Sequence, residues 1–201
     1  MTMAKKTAAT LDRRVVVKAI LDQRKDALLV TGLGSSCYDA GAMGDSANTF
    51  YLWGGMGAAA MMGLGLALAQ PKRQILVLTG DGEMLMGLGA LATIGAQGPR
   101  NLSIIVIDNE LYSETGRQPT HTSRGVDLAG MAKAANFARA ATIRSMNELD
   151  GWIPKLYESG GPTFVAVKAT NARYPMAIRL RDGTHIKNRF REALLGAKAF
   201  D

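Results

Sequence analysis

Two short runs of the sequence, residues 75–78 and 103–107, consist almost entirely of aliphatic residues. They are short for buried helices, and their lack of polar alternation is typical of strands covered on both faces. Such strands lie in the middle of parallel sheets, whose faces are covered by crossover helices. The two runs therefore predict the centre of a parallel sheet.

The rest of the chain alternates between strand-like and helix-like segments. Strands are predicted at residues 28–31, 74–79, 102–107, 138–143 and 162–168, and helices at residues 11–24, 56–70, 84–97, 128–136, 146–158 and 184–199. This alternation predicts an α/β protein, a three-layer α/β/α sandwich with a mainly parallel sheet. With 201 residues, 47% of them hydrophobic and 20% charged, the chain is long enough for one well-buried domain over residues 1–201.

Composition also bears on the class and location of the protein. The uncharged stretch 46–71 is long enough for a membrane span, but glycines and alanines dilute its hydrophobicity, so it predicts a buried helix instead. The lone cysteine, Cys37, cannot form an internal disulfide and is expected to be a small buried side chain. Because the first residues also lack a signal-like apolar segment, we predict a cytoplasmic protein that does not bind membranes.

The formal net charge of +7 is spread along the chain, with one denser basic run towards the end. That run comprises Arg179, Arg181, Lys187, Arg189 and Arg191, and it also contains Asp182. A solvated face or a subunit contact accounts for such a mixed run. We therefore expect no nucleic-acid binding.

Glycine and polar residues follow the two central strands. Gly80, Asp81 and Gly82 come after one of them and precede a helix, while the next strand ends in Asp108 and Asn109. Since parallel strands end at the same edge of a sheet, Asp81 and Asn109 are expected to lie side by side. Carboxylate and amide oxygens suit Mg²⁺, which commonly bridges to phosphate oxygens. The pair therefore predicts a metal and diphosphate site.

A second glycine-rich turn, YLWGGMG at residues 51–57, opens a predicted helix. One interpretation is dinucleotide binding, because residues 55–60 fit the pattern G-x-G-x-x-A and Asp81 lies near the position of a ribose-binding acid. That interpretation leaves Asn109 unexplained. It is kept as an alternative.

Three segments together resemble a known family: WGGMG, then GDGEMLMGLGALATIG, then NLSIIVIDNELYSETGRQPTHT. They are similar to the pyrophosphate-binding domain of thiamine-diphosphate enzymes, over about residues 34–128. Within that family they most resemble the small beta-type subunit of sulfopyruvate and phosphonopyruvate decarboxylases. The resemblance implies thiamine diphosphate and Mg²⁺ as cofactors, and decarboxylation of a small anionic 2-oxoacid to an aldehyde and CO₂.

The resemblance also implies roles for individual residues. Asp81 and Asn109 would bind Mg²⁺ through their side chains and Leu111 through its carbonyl, whereas Asp108 stands where many relatives have Asn. The other implied cofactor contacts are the backbone of Gly80, Gly82 and Glu83 at the diphosphate, the small-residue loop Gly34, Ser35 and Ser36, and the turn of Gly54, Gly55 and Met56. Met56 would be an apolar wedge that bends the cofactor, and the Gly54 carbonyl would receive its aminopyrimidine amine. The Glu83 side chain is expected to do no more than complement the helix dipole.

Two further residues are candidates for catalysis. His121 lies in a loop, QPTHT, that resembles one near the family's active site, and neutral imidazole can transfer protons near pH 7. Tyr112 is expected to form a wall of the pocket. His185 lies beside the predicted last helix and is not expected in the site.

One feature of the family is missing from this chain. The resemblance implies a glutamate on a separate pyrimidine-binding domain, and 201 residues leave no room for that domain. We therefore expect a separate subunit that carries the activating glutamate, with the cofactor bound between the two chains. The alternatives are a carboligase or 2-oxoacid oxidoreductase subunit, and a non-catalytic partner subunit that has lost the cofactor.

Overall fold

The fold is known from a computed structural model that describes residues 10–177 and 180–200, the side chain of Phe200 excepted. Its strands are β1 (Leu28–Thr31), β2 (Thr49–Tyr51), β3 (Ile75–Gly80), β4 (Leu102–Asp108), β5 (Leu111–Tyr112), β6 (Gln118–Pro119), β7 (Arg139–Ile143) and β8 (Thr163–Lys168). Six of them form a sheet in the order β2-β1-β3-β4-β8-β7, in which every pairing is parallel. Strands β5 and β6 form a separate antiparallel hairpin.

Eight α-helices connect or flank these strands in the described part of the chain. They are α1 (Arg13–Leu21), α2 (Ser35–Ala42), α3 (Ala59–Ala69), α4 (Asp81–Met86), α5 (Ala90–Gln97), α6 (Leu128–Ala134), α7 (Met146–Tyr157) and α8 (Gly183–Leu195), with 3₁₀ turns at His121–Arg124 and Gly196–Phe200. No helix among the described residues is both long and apolar enough to cross a membrane.

Two apolar layers cover the sheet because side chains alternate along each strand. Leu76, Leu78 and Ile105 belong to one layer, which they share with apolar residues of α1, α2 and α7. Val77 and Ile104 point to the other layer, formed with α3, α5 and α6. These two layers confirm the predicted α/β/α sandwich with a parallel sheet.

The uncharged stretch 46–71 contains a partly buried helix, as predicted, but this helix is shorter than the predicted range 56–70. It contains the edge strand β2 (Thr49–Tyr51), then a turn, and helix α3 begins only at Ala59. Gly57 interrupts the helical pattern because it has a positive φ of 84°. The apolar composition of the stretch indicated burial, but Trp53, Met61 and Leu68 are exposed.

The predicted helix 84–97 is two helices, α4 (Asp81–Met86) and α5 (Ala90–Gln97). The break at Gly87 follows from a close backbone approach: a Cβ on Gly87 would lie 2.1 Å from the carbonyl oxygen of Gly57. Helix α2 and strand β2 had not been predicted. The five predicted strands are all present, with bounds shifted by one residue or less at each end.

A buried ion pair fixes the first two helices to each other. The Asp39 carboxylate on α2 is fully buried and accepts from Arg13 Nη1 at 2.7 Å and from Arg14 Nε at 3.0 Å, both on α1. This contact holds α2, whose first turn faces the ends of the central strands. Cys37 on the same helix is buried, as expected.

The basic run near the end of the chain is divided between a connecting segment and α8. Arg189 pairs with Asp45 (Nη1 to Oδ2, 2.5 Å), which attaches α8 to the loop before β2. Arg181, Lys187 and Arg191 are exposed, and Arg179 lies outside the described residues. His185 is exposed at the start of α8, whose N-terminus is capped by Asp182.

Candidate active site

The loops that follow β1, β3 and β4 meet at one edge of the sheet because these three strands are neighbours. Gly80 and Ile107 are paired in register, so Asp81, which follows β3, lies beside Asp108, the last residue of β4. A cleft opens above them. We call it the strand-end cleft; it is lined by Leu33, Gly34, Ser35, Ser36, Met56, Gly80, Asp81, Gly82, Glu83, Ile107, Asn109, Leu111, Tyr112, Ser113, Glu114 and Thr115.

Most of the residues singled out from the sequence lie together in this cleft. Gly54, Gly55 and His121 do not line it. Gly54 and Gly55 precede Met56 in the turn before α3, and the side chain of His121 is exposed at the start of a 3₁₀ turn. A proton-transfer role for His121 therefore requires contact with a substrate or partner group that reaches beyond the cleft lining, and it stays a prediction.

Asp81 is 2% exposed and belongs to a buried polar network. Its Oδ2 accepts from Thr120 Oγ1 at 2.6 Å and lies 3.3 Å from Thr122 Oγ1. Thr122 also donates to Asp108 Oδ1 at 2.8 Å, and the two threonine oxygens are 2.9 Å apart. Since each hydroxyl has only one proton, two protons serve these four oxygen–oxygen contacts.

The ionisation of Asp81 reflects its burial and its acidic neighbour. Burial raises the pKa of its carboxyl to about 6, and the negative charge of Asp108 contributes to the rise, while hydrogen bonds such as that from Thr120 oppose it. Asp108 itself pairs with the buried Lys168 (Oδ2 to Nζ, 2.6 Å), which also pairs with Glu110 at 3.0 Å. Asp108 is thus already paired with the ammonium group of Lys168. Of the two carboxylates, Asp81 is therefore the one that a divalent ion would best neutralise.

Asn109 begins the hairpin that closes the cleft. Its Oδ1 accepts from the backbone amide of Leu111 at 3.1 Å, and its Nδ2 donates to Ser113 Oγ at 3.3 Å. Glu110 between them has a positive φ of 64°, which turns the chain sharply. The hairpin β5–β6 then returns the chain so that Thr120 reaches Asp81.

The donors at this edge fit a magnesium ion held partly by a ligand. No cluster of three or more His, Cys, Asp or Glu side chains that could hold a metal occurs within residues 10–177 and 180–200. The candidate set is instead one carboxylate (Asp81), one amide oxygen (Asn109) and the backbone carbonyl of Leu111, which leaves further positions for phosphate oxygens and water. Such hard oxygen donors match Mg²⁺.

The cleft also offers close backbone contact and open helix ends. A Cβ on Gly82 would lie 2.6 Å from Tyr112 Cδ1, so the Tyr112 ring packs directly against the Gly82 backbone and forms a wall. The residues that precede helices α2 and α4 are Gly34 and Gly80, and neither helix start is capped by a side-chain hydrogen bond. Helix starts of this kind favour an anionic group.

Sequence reasoning missed several polar residues of the site. Thr120, Thr122 and Lys168 complete the network around Asp81 and Asp108, and Glu114 lines the cleft. The hydroxyls on both sides of His121 were the available signal for the two threonines. Lys168 carried no signal beyond its place at the end of a strand.

The fold and this cleft define an α/β domain with a ligand site at the ends of its central strands. A family model described as "Thiamine pyrophosphate enzyme, C-terminal TPP binding domain" matches residues 34–167. The beta subunit of sulfopyruvate decarboxylase from Methanothermobacter thermautotrophicus is 38% identical over 189 residues, 93% of this chain and 97% of that one. The beta subunit from Methanococcus maripaludis is 31% identical over 92% of this chain and 98% of that one. The chain belongs to the thiamine pyrophosphate enzymes and, within them, to the family of sulfopyruvate decarboxylase beta subunits.

Longer proteins contain a matching region. The phosphonopyruvate decarboxylase of Streptomyces viridochromogenes is 39% identical over 70% of this chain, which covers 35% of that protein. The crystal structure of benzoylformate decarboxylase from Polynucleobacter necessarius superposes with a TM-score of 0.64 at 22% identity, over 87% of this chain and 36% of that one. The chain thus spans about a third of the length of these proteins, and the structural match supports the fold.

Proposed function

We propose that this chain is a single-domain subunit, binding diphosphate and Mg²⁺, of a split thiamine-diphosphate-dependent decarboxylase. Its substrate would be a small anionic 2-oxoacid of the sulfopyruvate or phosphonopyruvate kind, and its products an aldehyde and CO₂. The observation that carries the proposal is the meeting of Asp81, Asn109 and Leu111 at one edge of the sheet, in a chain that matches sulfopyruvate decarboxylase beta subunits over nearly its whole length.

The chain's own residues would bind and orient the cofactor. Asp81, Asn109 and the Leu111 carbonyl would hold Mg²⁺, and the amides of Gly82 and Glu83 would contact the diphosphate, near Ser35 and Ser36, which also line the cleft. When bound, thiamine diphosphate supplies the electron sink for loss of CO₂. Met56 would support the cofactor from below, and Tyr112 would restrict water at the Gly82 side.

A second subunit is part of the proposal. Relatives occur both as beta subunits of this length and as longer proteins in which this region is about a third of the chain. That difference supports a partner chain that provides the remaining parts of the pocket, including the activating glutamate. The lone, buried Cys37 supports a cytoplasmic location, because the chain can form no internal disulfide.

The dinucleotide alternative finds no support in the turn before α3. Gly57, the second glycine of that pattern, does not face open space: a Cβ there would lie 3.3 Å from the backbone of Met86 and Gly87. The intact Asp81 and Asn109 pair also argues against a non-catalytic partner subunit. The two remaining alternatives, carboligation and oxidation of the same substrate, differ from decarboxylation in their products. Analysis of the products would therefore distinguish them.

Native mass spectrometry of the tagged chain, purified from its own host with Mg²⁺ in the buffer, tests the proposal. We expect a second polypeptide together with the masses of thiamine diphosphate and Mg²⁺. An Asp81→Ala variant should lose the cofactor masses, whereas Asp150→Asn, which changes an exposed acid on α7, should keep them. A nicotinamide or flavin dinucleotide mass, or a lone chain without cofactor, would contradict the proposal.

A further inference from the structure

Glu83 has a buried carboxylate that joins three separate segments of the chain. The residue is 4% exposed. Its Oε2 accepts from Thr79 Oγ1 at 2.5 Å and from the backbone amide of Leu33 at 3.1 Å, and its Oε1 accepts from the backbone amide of Ala59 at 3.3 Å. One side chain therefore contacts the end of β3, the loop after β1 and the first residue of α3.

A neighbouring glycine provides the space for this carboxylate. A Cβ on Gly32 would lie 1.5 Å from Glu83 Oε2 and 2.7 Å from Thr79 Oγ1. The Glu83 carboxylate thus occupies the volume that a side chain at position 32 would need. The position of the Glu83 carboxylate therefore requires glycine at position 32.

The hydrogen bonds account for the burial of the charge. Burial raises the pKa of Glu83, and the hydrogen bonds from Thr79 and from the backbone amides oppose that rise. A buried carboxylate stays ionised only if hydrogen-bond donors lie close to it. The same hydrogen bonds fix the position of each donor. The expectation that this side chain only complements the helix dipole is therefore incomplete.

Each segment joined by Glu83 continues directly into the strand-end cleft. Leu33 precedes Gly34, Ala59 lies three residues after Met56, and Glu83 itself lies two residues after Asp81. The carboxylate thus links residues that line the cleft or lie within a few positions of its lining.

We propose that the Glu83 carboxylate is a positioning residue, which fixes the loop at Leu33 and the turn before Ala59 relative to Asp81. This arrangement keeps the cleft at the width that the cofactor requires. The role in cofactor binding rests on the proposed function, whereas the link between the three segments does not.

Amide hydrogen exchange of the metal-free protein tests the link, with Glu83→Gln as the variant. Glutamine has one acceptor oxygen instead of two, so its NH₂ group would face at least one of the backbone N–H donors. We expect exchange at Leu33, at Ala59 or at both to become at least about tenfold faster, with no change at Leu149 in the opposite layer. Gly32→Ala should have the same local effect by displacing the carboxylate, and it tests the link independently if Glu83→Gln folds poorly. Unchanged exchange at both amides would overturn the link.

Calorimetric binding of thiamine diphosphate with Mg²⁺ tests the positioning role, on the protein with any subunit that co-purifies with it. We expect Glu83→Gln and Thr79→Val to weaken binding by about tenfold or more. Thr79→Ser keeps the hydroxyl donor and should bind about as tightly as the unaltered protein. Leu91→Ala, a core change in α5, should lower stability without weakening binding. Faster exchange with unchanged affinity would overturn the positioning role. Absence of binding by the unaltered protein would contradict the proposed function, while the exchange rates would still report on the link.

Discussion

Asp81→Asn should make the metal-free protein more stable while it abolishes magnesium-dependent cofactor binding. The pKa of Asp81 is raised from 3.8 to about 6, which corresponds to about 3 kcal/mol of free energy between its two protonation states. In the folded chain the ionised carboxylate is buried beside Asp108, whereas in the unfolded chain it is in water. Asparagine removes this charge and can still accept from Thr120.

The sign of the pH dependence follows from the raised pKa. Between about pH 4 and pH 6 the folded state binds this proton more tightly than the unfolded state, so the contribution of Asp81 to stability falls as the pH rises through that range. Above about pH 6 the full cost is present. The advantage of asparagine should therefore be greatest at about pH 8, up to about 3 kcal/mol, and close to zero at about pH 4.

Urea unfolding followed by circular dichroism, at both pH values and without divalent ions, measures the difference. The matched control is Asp150→Asn, which changes an exposed acid and should leave the free energy of unfolding nearly unchanged. Addition of Mg²⁺ with thiamine diphosphate should stabilise the unaltered protein and not Asp81→Asn. An asparagine variant that is less stable at pH 8, or a difference that is the same at both pH values, would refute the reasoning.

Three other substitutions separate the site from the scaffold. Met56→Ala should leave the affinity for Mg²⁺ and thiamine diphosphate nearly unchanged but lower turnover of the complex, because the metal ligands stay in place; normal turnover would contradict the wedge role. Asp39→Ala leaves Arg13 buried without an acid and should lower the free energy of unfolding by about 3–5 kcal/mol, measured in urea. Asn101→Ala removes the amide that donates to the carbonyls of Ala67, Gln70 and Arg73 at the end of α3. It should cost about 2 kcal/mol in the same assay, and a loss below about 0.5 kcal/mol would show that water replaces these bonds.

The positions of Asp81 and Asn109 could be predicted because both follow apolar strands that had to be central and parallel. Parallel strands end at one edge, so residues at corresponding places are brought together without knowledge of side-chain geometry. The same argument explains why the sheet and its two covering layers were predicted, whereas β2 was not. An edge strand of three residues, Thr49–Tyr51, in an uncharged stretch has no periodicity long enough to identify it.

The local pattern of the chain thus fixed its class, its central strands and the residues at their ends, since these depend on burial and on contacts between sequence neighbours. The environment of those residues depends on contacts between distant parts of the chain. Thr120 reaches Asp81 across 39 positions through the hairpin, Glu83 reaches Leu33 across 50, and Lys168 reaches Glu110 across 58. Side-chain hydrogen bonds extend only about 3 Å, so these partners were settled by the packing of loops. The folded chain alone shows that Asp108 is paired with Lys168, that Asp81 accepts from Thr120, and that Glu83 accepts from the amides of Leu33 and Ala59.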